Sequence, residues 1–172
     1  MKAFLSIIYF IISLLPATRF YRFKTRIYQL LGFKFNSSVR LVSSVKLFGN
    51  IIIGRDTFVG HDVLITTGLD PVVIGDYVDI APRVVIVNGT HEITPKEKRI
   101  AGRGYSKKII INNGVWIGAN TTIIGGVTIG EMTIIGAGSV VINNLPSYSI
   151  CVGNPARPIK QWDKDKHKWI TI

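Results

Sequence analysis

Of the 172 residues only one, Cys151, is a cysteine, and only ten are acidic, with none before Asp56. A single thiol excludes an intramolecular disulfide and fits a reducing compartment. It leaves two readings, a packed cysteine or a nucleophile paired with a histidine. Long apolar runs are missing too. The longest covers residues 3–15 between Lys2 and Pro16, short of the roughly 20 residues a membrane-spanning helix needs. The Pro-Ala-Thr-Arg that follows is a poor signal-peptidase site. Zinc-finger, RRM and KH signatures are absent, so the excess of cations does not point to nucleic acid. No Walker-type phosphate loop is present.

Against these absences stands a net charge of +11, with Lys2, Arg19, Arg22, Lys24, Arg26, Lys34, Arg40, Lys46 and Arg55 all preceding the first carboxylate. An apolar content of 47% with 18% charged residues places the chain among globular proteins, as one ordinary domain. The opening "MKAFLSIIYFIISLLPATRFYRFKTRIYQLLGFK" sets cations among aromatics. That composition predicts a helical segment over residues 1–40 with two readings. It lies on an anionic leaflet, each basic residue contributing about 1 kcal/mol, or it covers the end of the domain behind it.

From Leu41 onwards an aliphatic residue returns every six positions: Leu41, Leu47, Ile53, Val59, Ile65, then Ile74, Ile80, Ile86, then Ile111, Ile117, Ile123, Ile129, Ile135 and Val141. Four positions on sit small, β-branched or leucine residues, among them Thr57, Val63, Leu69, Thr90, Thr121 and Thr133. The position after the aliphatic one is often glycine, as at Gly54, Gly60, Gly75, Gly118, Gly130 and Gly136. Neither a period of 2 nor of 3.6 produces this, which excludes an amphipathic helix or a simple meander. A period of six is that of a β-helix, each unit a short strand and a corner. Glycine at the corner is expected to supply backbone angles that other residues avoid.

The beat, best kept in "IGANTTIIGGVTIGEMTIIGAGSVV", resembles that of the hexapeptide-repeat acyltransferases. The resemblance implies a left-handed parallel β-helix of four to five triangular coils over residues 41–146, followed by a C-terminal turn and tail at 147–172. It also implies a homotrimer with active sites between subunits, and acetyl-CoA as co-substrate without a metal. A γ-class carbonic anhydrase, on the same fold, needs three histidine ligands, and only His91 is suitably placed.

The beat breaks twice. Three residues are inserted around Leu69, Asp70 and Pro71, a small corner bulge, and a further nineteen are inserted between Ile86 and Ile111. Solenoids place such insertions on a binding face, so residues 92–110, rich in Lys96, Lys98, Arg99, Arg103, Lys107 and Lys108, are expected to form a site loop. His91 stands directly before it. Imidazole, with an unperturbed pKa near 6.5, suits a general base at neutral pH. Its position resembles that of the catalytic histidine in galactoside and maltose O-acetyltransferases.

Asp62, Glu92 and Arg99 are the candidate acceptor contacts. Asp62 resembles a family position that touches the acceptor, although a solvated corner residue is the competing reading. On the donor side the resemblance assigns Trp116 in "GVWIGAN" as a wall and the Ala119 N–H as oxyanion donor. It also assigns a backbone contact at Ala137, and phosphate contacts at Arg157 and Lys160 in "GNPARPIK". Two departures weaken an exact copy: Ala119 replaces a family serine, and Asn143 a lysine.

The expected activity is acetyl transfer from acetyl-CoA to a sugar hydroxyl in bacterial surface-polysaccharide synthesis, with a sugar or lipid-linked oligosaccharide acceptor. The expected location is the cytoplasm, at the inner face of the membrane. The alternatives are an amino sugar, serine or antibiotic acceptor, or a non-enzymatic β-helix scaffold.

Overall fold

The computed structural model describes residues 2–93, 95 and 98–172. The six-residue beat becomes three walls, because each strand pairs in parallel with the one three repeats on: Lys34 with Ile52, Arg40 with Phe58, Lys46 with Leu64. The first wall stacks Lys34–Phe35, Ile51–Ile53, Val72–Ile74, Ile109–Ile111 and Thr128–Ile129. Arg40–Leu41, Phe58–Val59, Asp79–Ile80, Trp116–Ile117 and Ile134–Ile135 form the second. The third holds Lys46–Phe48, Leu64–Thr66, Val85–Val87, Thr122–Ile124 and Val140–Val141. This is a parallel β-helix, and its ladder reaches back to Phe35, one repeat before Leu41.

The aliphatic position of every repeat points inward and is buried, from Leu41 to Val141. The second inward position is buried as well, and where it is polar its hydroxyl meets a corner carbonyl. Thr57 donates to Gly75 at 2.9 Å and Thr133 to Pro146 at 2.7 Å. Two residues of this set do not enter the core. Leu69 is 97% exposed and Thr90 is exposed. The inserted bulge carries Leu69 outwards, and Val72, paired with Ile51, fills the vacated place. Thr90 lies beyond the last wall strand of its turn.

The corner glycines also act differently from the expectation. Positive φ falls two residues later, at Asp56, Asp62, Tyr77, Arg83, Asn120 and Met132, with Gly114, Gly126 and Gly138 in the same slot. The glycines after the aliphatic position are required by stacking. A Cβ on Gly118 would lie 2.5 Å from the Ala137 nitrogen, and one on Gly130 2.2 Å from that of Ser147. Successive turns touch there, backbone to backbone.

Two helices close the N-terminal end. Helix α1, Lys2–Ser13, sends Ile12 into the core and the Tyr9 hydroxyl to the backbone of Leu47. Helix α2, Tyr21–Leu30, buries Lys24, Thr25 and Tyr28. Their polar tips reach carbonyls of the first turn: Thr25 Oγ1 donates to Val39 at 2.7 Å and Gln29 Nε2 to Phe35 at 2.8 Å. Exposed sheet edges invite further pairing, and these side chains occupy this one. At the other end Ser149–Gly153 adds in parallel to the second wall, and Ala156–Asp163 and Lys168–Thr171 continue it antiparallel.

The long insertion is an antiparallel hairpin of Gly89–Ile93 and Ala101–Ser106 rather than an irregular loop. It leaves the wall after Val87, so His91 stands on its first strand and not at the wall itself. Lys96, counted with the loop charges above, and its neighbour Glu97 lie outside the described residues.

Candidate active site

His91 sits across the hairpin from Gly104, and its Nδ1 lies 2.9 Å from the Gly102 carbonyl oxygen. A carbonyl only accepts, so Nδ1 carries the proton and Nε2 is left with its lone pair. The side chain is exposed and borders a cleft of about 290 Å3 lined by Gly68, Leu69, Gly89, Thr90, His91, Gly104, Tyr105 and Ser106. Glu92, the next residue, is exposed, and the ring is oriented by Gly102 instead.

The cleft joins the two insertions. Asn88, fully buried, accepts from the Gly68 N–H at 2.8 Å and donates to the Asp70 carbonyl at 2.7 Å. Ser106 donates to the Asp70 carboxylate at 2.7 Å and accepts from the Asp70 N–H at 2.9 Å. The three-residue bulge is therefore a wall of the histidine cleft, held to the root of the hairpin. Asn88, Gly102 and Ser106 are absent from the candidates drawn from sequence. A polar residue directly after the run Val84–Val87 was the available signal for Asn88, while the other two depend on hairpin register.

Asp62 lies elsewhere. It occupies the corner between the second and third walls, with φ 55°, and lines a separate cleft of about 300 Å3 with Ser44, Lys46 and Arg83. Ala119 and Ala137 follow on that corner two and three turns later, joined by the Gly138 N–H donating to the Ala119 carbonyl at 2.8 Å. Trp116 projects from the second wall, 55% exposed, between Asp79 and Ile134. Arg157 and Lys160 are exposed on the C-terminal ribbon, with two strands of the same sheet between theirs and that of Trp116. Arg99 is exposed at the hairpin tip. Within one chain, the width of the third wall separates the histidine corner from the corner of Asp62, Ala119 and Ala137.

Residues 108–143 match the model of the bacterial transferase hexapeptide (six repeats) family. The chain is 41% identical over 122 residues to a galactoside O-acetyltransferase of Escherichia coli (strain K12), covering 70% of this chain and 59% of that one. It is 30% identical over 143 residues to the protein named "Putative colanic acid biosynthesis acetyltransferase WcaF" from the same strain, covering 82% of this chain and 76% of the relative. The chain belongs to the hexapeptide-repeat transferase family.

Among solved structures, the hexapeptide-repeat acetyltransferase of Vibrio cholerae O1 biovar eltor complexed with acetyl coenzyme A superposes with a TM-score of 0.65 at 26% identity. That match covers 82% of this chain and 77% of the other. The left-handed winding expected from the repeat follows from membership of the hexapeptide-repeat family. The chain spans about half to three-fifths of the length of several curated relatives in it. As a hexapeptide-repeat protein it carries one further reactive group type, the thiol of Cys151, buried beneath the C-terminal ribbon with Ser149 Oγ at 3.2 Å. Burial pushes this thiol above its ordinary pKa, so it is a packed residue and not a nucleophile paired with His91.

Proposed function

We propose that this protein is an acetyl-CoA-dependent O-acetyltransferase acting on a sugar hydroxyl, serving bacterial cell-surface polysaccharide synthesis at the cytoplasmic face of the inner membrane. The observation that carries the reading is the His91–Gly102 hydrogen bond, which occupies Nδ1 and leaves Nε2 to act as the base on a side chain that borders the hairpin cleft. Nε2 takes the hydroxyl proton as the oxygen attacks the thioester carbonyl. The tetrahedral oxyanion collapses, the carbon–sulfur bond breaks, and the coenzyme A sulfur leaves with the proton that His91 returns. A positioned base of this kind contributes roughly a hundred- to ten-thousandfold in rate.

The acyl donor is assigned to the other corner, with Trp116 as a wall, a backbone contact at Ala137, the Ala119 N–H toward the oxyanion, and Arg157 and Lys160 toward the phosphates. Since one chain keeps the two corners apart, the cleft is assembled between subunits of a homotrimer. Asp62 reaches the acceptor across that boundary, and Glu92 and Arg99 contact it from the hairpin. The acetyltransferase names of the relatives and the acetyl-coenzyme-A complex of the Vibrio neighbour support this donor. The apolar and basic first segment brings the protein to an anionic membrane, where lipid-linked acceptors reside.

Coenzyme A release from acetyl-CoA, measured with a panel of sugars and amino sugars, tests the proposal. Acceptor-dependent release that collapses in His91→Ala is expected. Undiminished turnover in the variant would sink the base, and the absence of release with every acceptor would leave a scaffold.

A further inference from the structure

The two N-terminal helices have more apolar surface than the β-helix covers. Helix α1 turns Ile12, with Ile8 and Tyr9, onto the first turn, while Ile7, Phe10, Ile11 and Leu14 form an exposed ridge on its opposite side. At 100° per residue the two sets lie about half a turn apart, so the ridge is not an edge of the buried face. Helix α2 repeats the arrangement. Lys24, Thr25 and Tyr28 face inward, and Phe20, Phe23 and Leu30 are exposed. Next to these, Arg22 and Arg26 follow at helical spacing along a shallow cleft of about 330 Å3 that Gln29, Ser37 and Ser38 complete. Among the described residues neither guanidinium has an ion-pair partner, and no carboxylate precedes Asp56 in the sequence. A ridge made only to cap the β-helix has no need of an outward apolar side, and a solvated helix has no need of aromatics between arginines.

We propose that the ridge of α1 and α2 inserts into the interfacial layer of an anionic leaflet while the Arg22–Arg26 cleft takes a lipid phosphate. Charge complementarity selects this occupant: the cleft lining holds two arginines and no carboxylate, with Asp56 the neighbouring acid through its N–H bond to Ser38, and such a surface attracts phosphate more than a second copy of itself. No described helix is long and apolar enough to cross a membrane. His91 leaves the third turn of its wall, roughly 10 Å along the axis from the capped end at about 4.8 Å per turn. A sugar carried on a lipid phosphate would reach the cleft from that leaflet. In a trimer whose three-fold axis parallels the β-helix, all three ridges would face the same side and bind together. The inference deepens the membrane contact proposed above and is independent of the transfer chemistry.

The test is flotation of the full chain with vesicles of phosphatidylcholine alone and of phosphatidylcholine mixed with phosphatidylglycerol. Binding to the mixed vesicles that weakens with salt is expected. The double variant Arg22→Gln/Arg26→Gln should partition at least roughly 30-fold less, from about 1 kcal/mol per basic residue in a single chain, and more where three ridges bind together. Phe10→Ser/Leu14→Ser should abolish binding, and Lys168→Gln, on the far ribbon, should leave it unchanged. Circular dichroism confirms that each variant is folded. No flotation with anionic vesicles, or equal flotation with neutral ones, would overturn the proposal. So would ridge-dependent self-association without vesicle binding, which would assign the ridge to a second copy. Acetyl transfer to a soluble acceptor should survive in the ridge variants; its loss would overturn the separation of docking from catalysis. Flotation in a wild-type chain that transfers nothing would overturn the enzymatic reading and uphold the docking surface.

Discussion

With Nδ1–H donating to Gly102, the His91 ring holds one tautomer, and its exposed position means that its removal disturbs little packing. His91→Ala should lower turnover by roughly a hundred- to ten-thousandfold and leave the unfolding midpoint nearly unchanged. Coenzyme A release and thermal melting, measured together, check both halves. Asn88 is the opposite case. Asn88→Ala would strip partners from the Gly68 N–H and the Asp70 carbonyl, at about 1–3 kcal/mol for each group left buried. A clear fall in melting temperature together with reduced turnover is expected, because the bulge is a wall of the cleft. Lys24 adds a pH dependence. Its ammonium donates to the Ala17 carbonyl at 2.8 Å and to Ser43 at 3.2 Å, and burial lowers its pKa from 10.5. Between that lowered value and 10.5 the unfolded chain binds more protons at Lys24 than the folded one, so the contribution of this residue to stability rises with pH across the window, against the opposite slope of Tyr9 and Tyr28, whose phenols burial pushes up. In Lys24→Met that rise should disappear from urea unfolding curves taken at successive alkaline pH values.

At the scale of elements, contact between turns decides which glycines can change. Gly118→Ala would drive a Cβ to 2.5 Å from the Ala137 nitrogen and 2.7 Å from the Ile135 oxygen. Backbone cannot step aside cheaply, and a cost of about 1–3 kcal/mol is expected. Gly104, on the hairpin, has room: its nearest atom is His91 Cε1 at 3.6 Å. Gly104→Ala should therefore stay within about 0.5 kcal/mol of the natural chain. Urea midpoints of the two variants give the contrast directly. The walls were legible because burial repeats with the beat: from Leu41 to Val141 each periodic aliphatic residue is inside. The hairpin was legible only as an interruption, since its strands pair with each other and carry no six-residue period. Leu69 holds a periodic position and still lies outside, for a related reason. A count of six cannot tell a core residue from one lifted outwards by a three-residue bulge, and the pairing of Val72 with Ile51 settles the register.

For the whole molecule, the separation of His91 from the corner of Ala119 and Ala137 makes the assembly testable. If each cleft takes its base from one subunit and its donor groove from the next, His91→Ala and Ala137→Arg chains should both be inactive alone. Refolded together they should recover about a quarter of the sites by random assortment in a cyclic oligomer, read as coenzyme A release. No recovery in mixed trimers would place the complete site within one subunit. The sequence by itself determined the β-helix, since stacking one aliphatic residue on another is a local, periodic demand that every repeat states again. It also marked His91, because a break in so regular a pattern is visible without coordinates. Tertiary structure decided the remainder: Gly102 as the partner of the ring, Asn88 and Ser106 as the ties between two insertions, and the outward ridge on helices whose inner faces close the end. Those contacts join residues far apart in the chain and obey no period, so only the folded backbone brings them together.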